Sequence, residues 1–141
     1  MSTSVVDIFA PSDIPLGPGT PAVVGGSEEA LLAVSSRLAG SMRAVRVWTN
    51  RQTVGEALTR GGVSWLDAGR FEPDPEAALL LWRFLPTSRP ATRKGSGWPH
   101  DGRYAGEAFA SCDVVLTLSA FHEQCLRRTA PPGTRFARAG N

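Results

Sequence analysis

The first 49 residues run through a strand-length apolar segment, a glycine- and proline-rich loop, a capped helix and a second strand-length segment. Few folds accommodate that order. Val5-Val6-Asp7-Ile8-Phe9-Ala10 is β-branched and aromatic, and Pro11 stops it, which predicts a first strand. The loop Pro11–Gly26 holds four prolines and four glycines, and loops of that length in compact domains tend to be functional. Ser27 predicts a helix N-cap, its hydroxyl accepting an orphan backbone N–H of the first turn. Glu28 and Glu29 follow where the helix dipole favours negative charge. Leu31, Val34 and Leu38 recur on one face and Gly40 is a good terminator, so the helix spans Ser27–Ala39. Ala44–Thr49 reads as the second strand. A helix joining two strands in this way is the parallel βαβ unit, right-handed by default.

The remainder continues the alternation. Thr53–Thr59 predicts a short helix, Val63–Leu66 a strand, and Arg70–Pro75 a turn-rich link. Ala77–Leu85 is the most apolar stretch; it fits a buried helix or a buried strand, and its position favours a central parallel strand. Pro86–Tyr104 is polar and loop-like, and Ala105–Ser111 fits one or two helical turns. Asp113–Ser119 is a clear strand. Ser119 caps a helix, Ala120–Arg128, on which Phe121, Cys125 and Leu126 share a face, and Pro131-Pro132-Gly133 ends it. Thr134–Ala139 is a final strand. The fold class that follows is α/β, a mainly parallel sheet with helices on both faces. At 141 residues the chain is one domain's worth, 1–141.

Composition removes several classes of function. A net charge of +2, with the basic residues scattered, argues against a nucleic-acid partner. No apolar run approaches the ~20 residues of a membrane helix. The N-terminus lacks a basic region followed by an apolar core, so no signal peptide is read and a cytoplasmic location is expected. Cys112 and Cys125 match no zinc spacing, and only His100 and His122 could complete a site; no metal is expected, and the cysteines read as two core thiols in a reducing compartment. There is no G-x-G-x-x-G and no Walker lysine, so no nucleotide cofactor is expected.

The polar residues that could carry chemistry are few. Gly25-Gly26-Ser27-Glu28 stands between a strand and a helix, where bare backbone and helix N–H groups suit an anion; a plain turn and cap fits the same residues. His100-Asp101 follows Trp98-Pro99 in the polar segment. A histidine beside an aspartate suits a general base or a donor to a substrate hydroxyl, although an exposed loop dipeptide is the plainer reading. His122 follows the Ser119 cap and fits a surface or groove-lining helix position. Of the tryptophans, Trp48, Trp65 and Trp82 lie in strands and suit core or half-buried packing, whereas Trp98 sits in the polar segment. G-x-S-x-G is absent.

Taken in order, these residues carry a resemblance. Gly25-Gly26-Ser27-Glu28-Glu29-Ala30-Leu31-Leu32, the helix ending at Gly40 and Val45-Arg46-Val47-Trp48-Thr49 resemble the opening of retaining glycosyltransferases of the two-Rossmann-domain (GT-B) type, family 4-like. Trp98-Pro99-His100-Asp101 resembles that family's strand ending in His-Asp. Cys112–Phe121 resembles its D-x-V-x-x-x-S strand and helix, and Phe136–Asn141 sits where the family has a strand leading into P-N-G. Thr92–Gly97 is polar where the family shows an apolar strand.

The resemblance implies a Rossmann-like three-layer sandwich forming the N-terminal, acceptor-side half of an enzyme that transfers a sugar from a nucleotide-sugar to an acceptor. The family's second, donor-binding domain, with its two glutamates separated by seven residues, has no match here. Transfer by these 141 residues alone is therefore not expected. By the same resemblance, Gly25 and Gly26 line the cleft near the donor diphosphate, His100 faces the reacting sugar as the catalytic residue, and Asp101 and Ser119 contact substrate. The Pro11–Gly26 loop, the His100–Asp101 segment and the Ser119 turn are expected on one rim, outside the carboxyl ends of the strands. A half lacking its partner implies self-association through the exposed cleft face. The competing reading is a non-catalytic Rossmann-like binding or regulatory module.

Overall fold

The computed structural model describes residues 5–11, 26–49, 58–60, 62–83, 94–99, 109, 112–117 and 119–138. The chain divides into two compact units, Met1–Glu72 and Pro73–Asn141. Both are α/β, and within them every strand pairing is parallel except one.

The first unit contains β1 (Val5–Ala10), α1 (Gly26–Ala39), β2 (Ala44–Thr49), β3 (Leu58–Arg60) and β4 (Val63–Asp67), with strand order β3-β4-β2-β1. β1 and β2 have the bounds their side chains predict, and they pair in parallel with Asp7 opposite Arg46 and Phe9 opposite Trp48. Successive side chains alternate between faces. Val6, Ile8 and Ala10 therefore share one face with Val45 and Val47, all buried. α1 packs on β2 and β4, and its Leu31 is fully buried, a burial that contributes about 2–3 kcal/mol. The helix starts at Gly26, one residue ahead of the predicted Ser27 cap. It stops where Gly40 N–H donates to the Arg37 carbonyl at 3.2 Å.

The helix expected over Thr53–Thr59 is overturned at its end: Leu58 and Thr59 belong to β3, antiparallel to β4. Gly62, with φ +80°, makes the tight reversal between them, a conformation in which a side chain is strained. After β4 comes one turn of 3-10 helix, Ala68–Arg70, capped by the Asp67 carboxylate accepting from Gly69 N–H at 2.9 Å. The predicted turn-rich link follows it.

The second unit contains β5 (Ala78–Trp82), β6 (Lys94–Trp98), β7 (Val114–Thr117), α2 (Ala120–Arg127) and β8 (Phe136–Arg138), with strand order β5-β6-β7-β8 and every pairing parallel. β5 is the parallel strand that its apolar run favours, and Leu79, Leu80, Leu81 and Trp82 are all buried. β6 corrects the reading of Pro86–Tyr104 as loop. Lys-Gly-Ser-Gly-Trp has little strand propensity, but β5 and β7 pair with it on both sides and supply the hydrogen bonds that propensity cannot predict. Trp98 is accordingly a strand residue, 4% exposed, and not a loop residue.

α2 packs on β7. Phe109, Val115 and Leu126 form the core beneath it, with Cys112, Ala130 and Phe136 against them. The expected shared face of α2 fails at Phe121, which is 73% exposed, and His122 is buried, which removes the surface alternative for that residue but not the groove-lining one. Cys112 and Cys125 are both free and half-buried, and Cys112 packs against that core. No described helix is long and apolar enough to cross a membrane.

Candidate functional site

In parallel α/β sheets ligands bind outside the carboxyl ends of the strands. In the second unit those ends are Trp82, Trp98 and Thr117; Trp82 pairs with Trp98, and the pairing of Gly97 with Val115 carries Thr117 one residue further out. At about 4.8 Å per strand, the ends of β5 and β7 flank that of β6 about 10 Å apart. Beyond them lie Arg83, Pro99 and Ser119.

Ser119 has extended backbone, φ −161° and ψ 169°, and its Oγ accepts the His122 backbone N–H at 3.1 Å. That is the predicted cap. Glu123 stands in the first turn, where its charge suits the dipole, and its carboxylate receives Arg127 Nε–H at 3.2 Å one turn on. Ser119 is exposed, and its hydroxyl proton is still available to a ligand.

Arg83 follows β5 with φ 56°, the sole non-glycine positive φ among the described residues. Its N–H donates to the Trp98 carbonyl at 3.0 Å, and its guanidinium lies 5.5 Å from the centre of the Trp82 ring. No local sequence pattern marks it, because nothing in Trp-Arg-Phe predicts left-handed backbone.

Asp113 likewise does a job that sequence spacing did not reveal. Its carboxylate accepts Gly95 N–H at 2.8 Å, and its own N–H donates to the Gly95 carbonyl at 2.8 Å. This clamp holds the start of β6 against the start of β7, so the aspartate of the D-x-V segment acts at the amino edge, away from the ligand edge.

In the first unit the carboxyl ends are Ala10, Thr49 and Asp67. Thr49 is fully buried and its Oγ1 has no hydrogen-bond partner among the described residues. Gly26 heads α1, which follows β1 in the chain, consistent with backbone donors at that turn. On the face opposite Val6, Ile8, Val45 and Val47, Asp7 is 1% exposed and accepts from Arg46 and from Trp48 Nε1–H. Phe71 stacks on Phe9 and Trp48 beside it, with ring centres 4.7 and 5.5 Å apart.

Of the sequence-predicted site residues, Gly26 lies in the first unit and Ser119 in the second. Gly25, His100 and Asp101 fall outside the described residues. No group of three or more His, Cys, Asp and Glu among the described residues could hold a metal ion. No protein-family model, curated protein or solved structure matches the chain.

Proposed function

We propose that this chain is the acceptor-side, Rossmann-like half of a sugar-transfer enzyme that uses a nucleotide-sugar. The observation that carries the reading is β6. The resemblance requires a strand immediately ahead of Pro99-His100-Asp101, local propensity argues against one, and Lys94–Trp98 is nonetheless a strand held between two parallel neighbours. The Ser119-capped helix directly after β7 and the glycine-headed helix after β1 accord with the same plan.

In this reading the chain supplies position and polarity. His100 would orient the acceptor hydroxyl or the reacting sugar and take up a proton as the acceptor oxygen bonds to the anomeric carbon and the bond to the diphosphate breaks. Asp101 would orient that histidine, Ser119 would donate to a substrate oxygen at the rim, and the backbone at Gly25 and Gly26 would receive the donor's negative charge. The donor's remaining contacts belong to the second domain of the GT-B plan, so sugar transfer needs both halves.

The test is reconstitution. The chain is joined to a nucleotide-sugar-binding Rossmann half and offered a panel of labelled nucleotide-sugars with sugar acceptors. Transfer that depends on both halves supports the reading. Specific ligand binding without transfer in any combination favours the non-catalytic module.

A further inference from the structure

We infer that Thr49 and Asp67 together bind hydroxyl groups of a sugar ligand at the carboxyl edge of the first unit. The inference deepens the sugar-transfer reading and rests on it for the ligand's class.

The starting observation is an unanswered hydroxyl. Thr49 is the last residue of β2, its side chain is fully buried, and its Oγ1 has no hydrogen-bond partner among the described residues. Burying a hydroxyl in that state costs stability. Folded proteins pair nearly all such groups, and an exception calls for a specific account such as a functional role or a bound molecule. Packing alone does not ask for threonine here. Val45 and Val47 occupy the two preceding positions on the same face, both buried, and a third valine would match the shape of Thr49 without the hydroxyl.

The neighbouring strand supplies the second group. Asp67 is the register partner of Thr49 on β4. Register partners share a face on strands about 4.8 Å apart, so the carboxylate stands on the Thr49 side of the sheet. Its Oδ1 accepts Gly69 N–H at 2.9 Å, and its Oδ2 accepts from no group among the described residues. Asp67 is only half-buried, so the pair opens to solvent on that side. On β1 the register partner of Thr49 is Ala10, whose methyl offers no polar contact. Thr49 and Asp67 do not bond each other. An available hydroxyl and an available carboxylate oxygen therefore lie side by side where parallel α/β sheets receive ligands.

The two groups ask for a ligand that accepts and donates at once. A sugar hydroxyl accepts from Thr49 O–H while it, or the hydroxyl beside it, donates to Asp67 Oδ2. An ammonium group leaves the Thr49 proton without an acceptor, a carbonyl leaves the carboxylate without a donor, and a phosphate meets a like charge. Because Thr49 is buried, the contact forms away from water, where a ligand that lacks the hydroxyl is rejected strongly.

Glucose, galactose and mannose are titrated separately into the nitrogen-labelled 141-residue chain, with permethylated glucose and propylamine as controls. Amide spectra are followed for wild type, Thr49→Val and Asp67→Asn. At least one hexose should shift the Thr49 and Asp67 amide signals saturably. Permethylated glucose, which has no hydroxyl to donate, should not. Each variant should weaken hexose binding by about tenfold, the scale of one lost hydrogen bond to a buried or charged group. Asp67→Asn keeps an oxygen for Gly69 N–H, so its loss reads the second oxygen. Without sugar, Thr49→Val should raise the melting temperature by about 2–6 °C, because it removes the orphaned hydroxyl and keeps the shape.

The inference is overturned if no hexose shifts these signals in the wild-type chain, or if propylamine or permethylated glucose binds as tightly as the best hexose. It is overturned equally if either variant weakens binding by less than about threefold, or if Thr49→Val does not raise the melting temperature, which would give the hydroxyl a partner in water. Hexose binding that depends on both residues, in a chain that supports no sugar transfer in any combination, would retain this inference and remove the sugar-transfer reading. Transfer left unchanged by both variants would do the reverse.

Discussion

The Asp7 carboxylate receives Nε–H and Nη2–H of Arg46 at 2.6 and 2.7 Å, one oxygen to each. The residues are register partners on β1 and β2. Asp7 is 1% exposed and Arg46 30%, so the pair is asymmetric: the arginine can return to water and the aspartate cannot. Trp48 Nε1–H supplies Asp7 with a third donor at 2.9 Å. A charge-bearing strand residue in the middle of an apolar run is tolerable only because these donors meet it.

That asymmetry predicts unequal costs. Arg46→Met leaves a buried carboxylate with Trp48 as its donor among those above, and should destabilise by about 3–5 kcal/mol. Asp7→Asn leaves a cation that can be hydrated and should cost about 1–3 kcal/mol. Replacing both by apolar residues of similar volume should recover most of the loss. Urea unfolding followed by tryptophan fluorescence measures all three, and equal costs for the two single variants would contradict the account of the pair.

Ser119→Ala removes the acceptor for His122 N–H and should cost about 1 kcal/mol, while Ser119→Asp should retain the cap. Urea unfolding reads the difference. A neutral Ser119→Ala would mean that α2 does not depend on this cap.

Asp113→Ala should cost about 1–3 kcal/mol, because Gly95 N–H then loses a charged acceptor at the start of β6. Hydrogen exchange should locate the damage at residues 94–98 and spare β2. Uniform loss of protection through both units would contradict the clamp.

Much of this fold was legible in the side chains. β1, α1 and β2 announce themselves through β-branched runs, an acidic first turn and a terminal glycine, and their observed bounds agree to within a residue. The Ser119 cap was legible because N-capping is a local hydrogen bond. β6 was not, since its Gly-Ser-Gly centre becomes a strand only through its neighbours. Trp98 looked like a loop residue for the same reason. β3 was read as helix because Thr53–Thr59 carries a cap-like threonine and ends near two glycines, whereas the pairing that decides Leu58–Arg60 comes from β4. Arg83 was hidden because a left-handed arginine is a property of the assembled strand ends and of no local motif. His100 and Asp101 were picked out from residue type and from the resemblance, and their assignment stands as part of the proposed function.

The most direct measurement is turnover of a labelled nucleotide-sugar by the reconstituted two-half enzyme, comparing wild type with His100→Ala and following the melting temperature of each. On this reading His100 has a role toward substrate and none in the core, so the substitution should leave the melting temperature within about 2 °C. Loss of one acid–base or orienting group should lower transfer by roughly a hundredfold or more. Transfer that survives His100→Ala undiminished, or a variant that fails to fold, would contradict the sugar-transfer account of this chain.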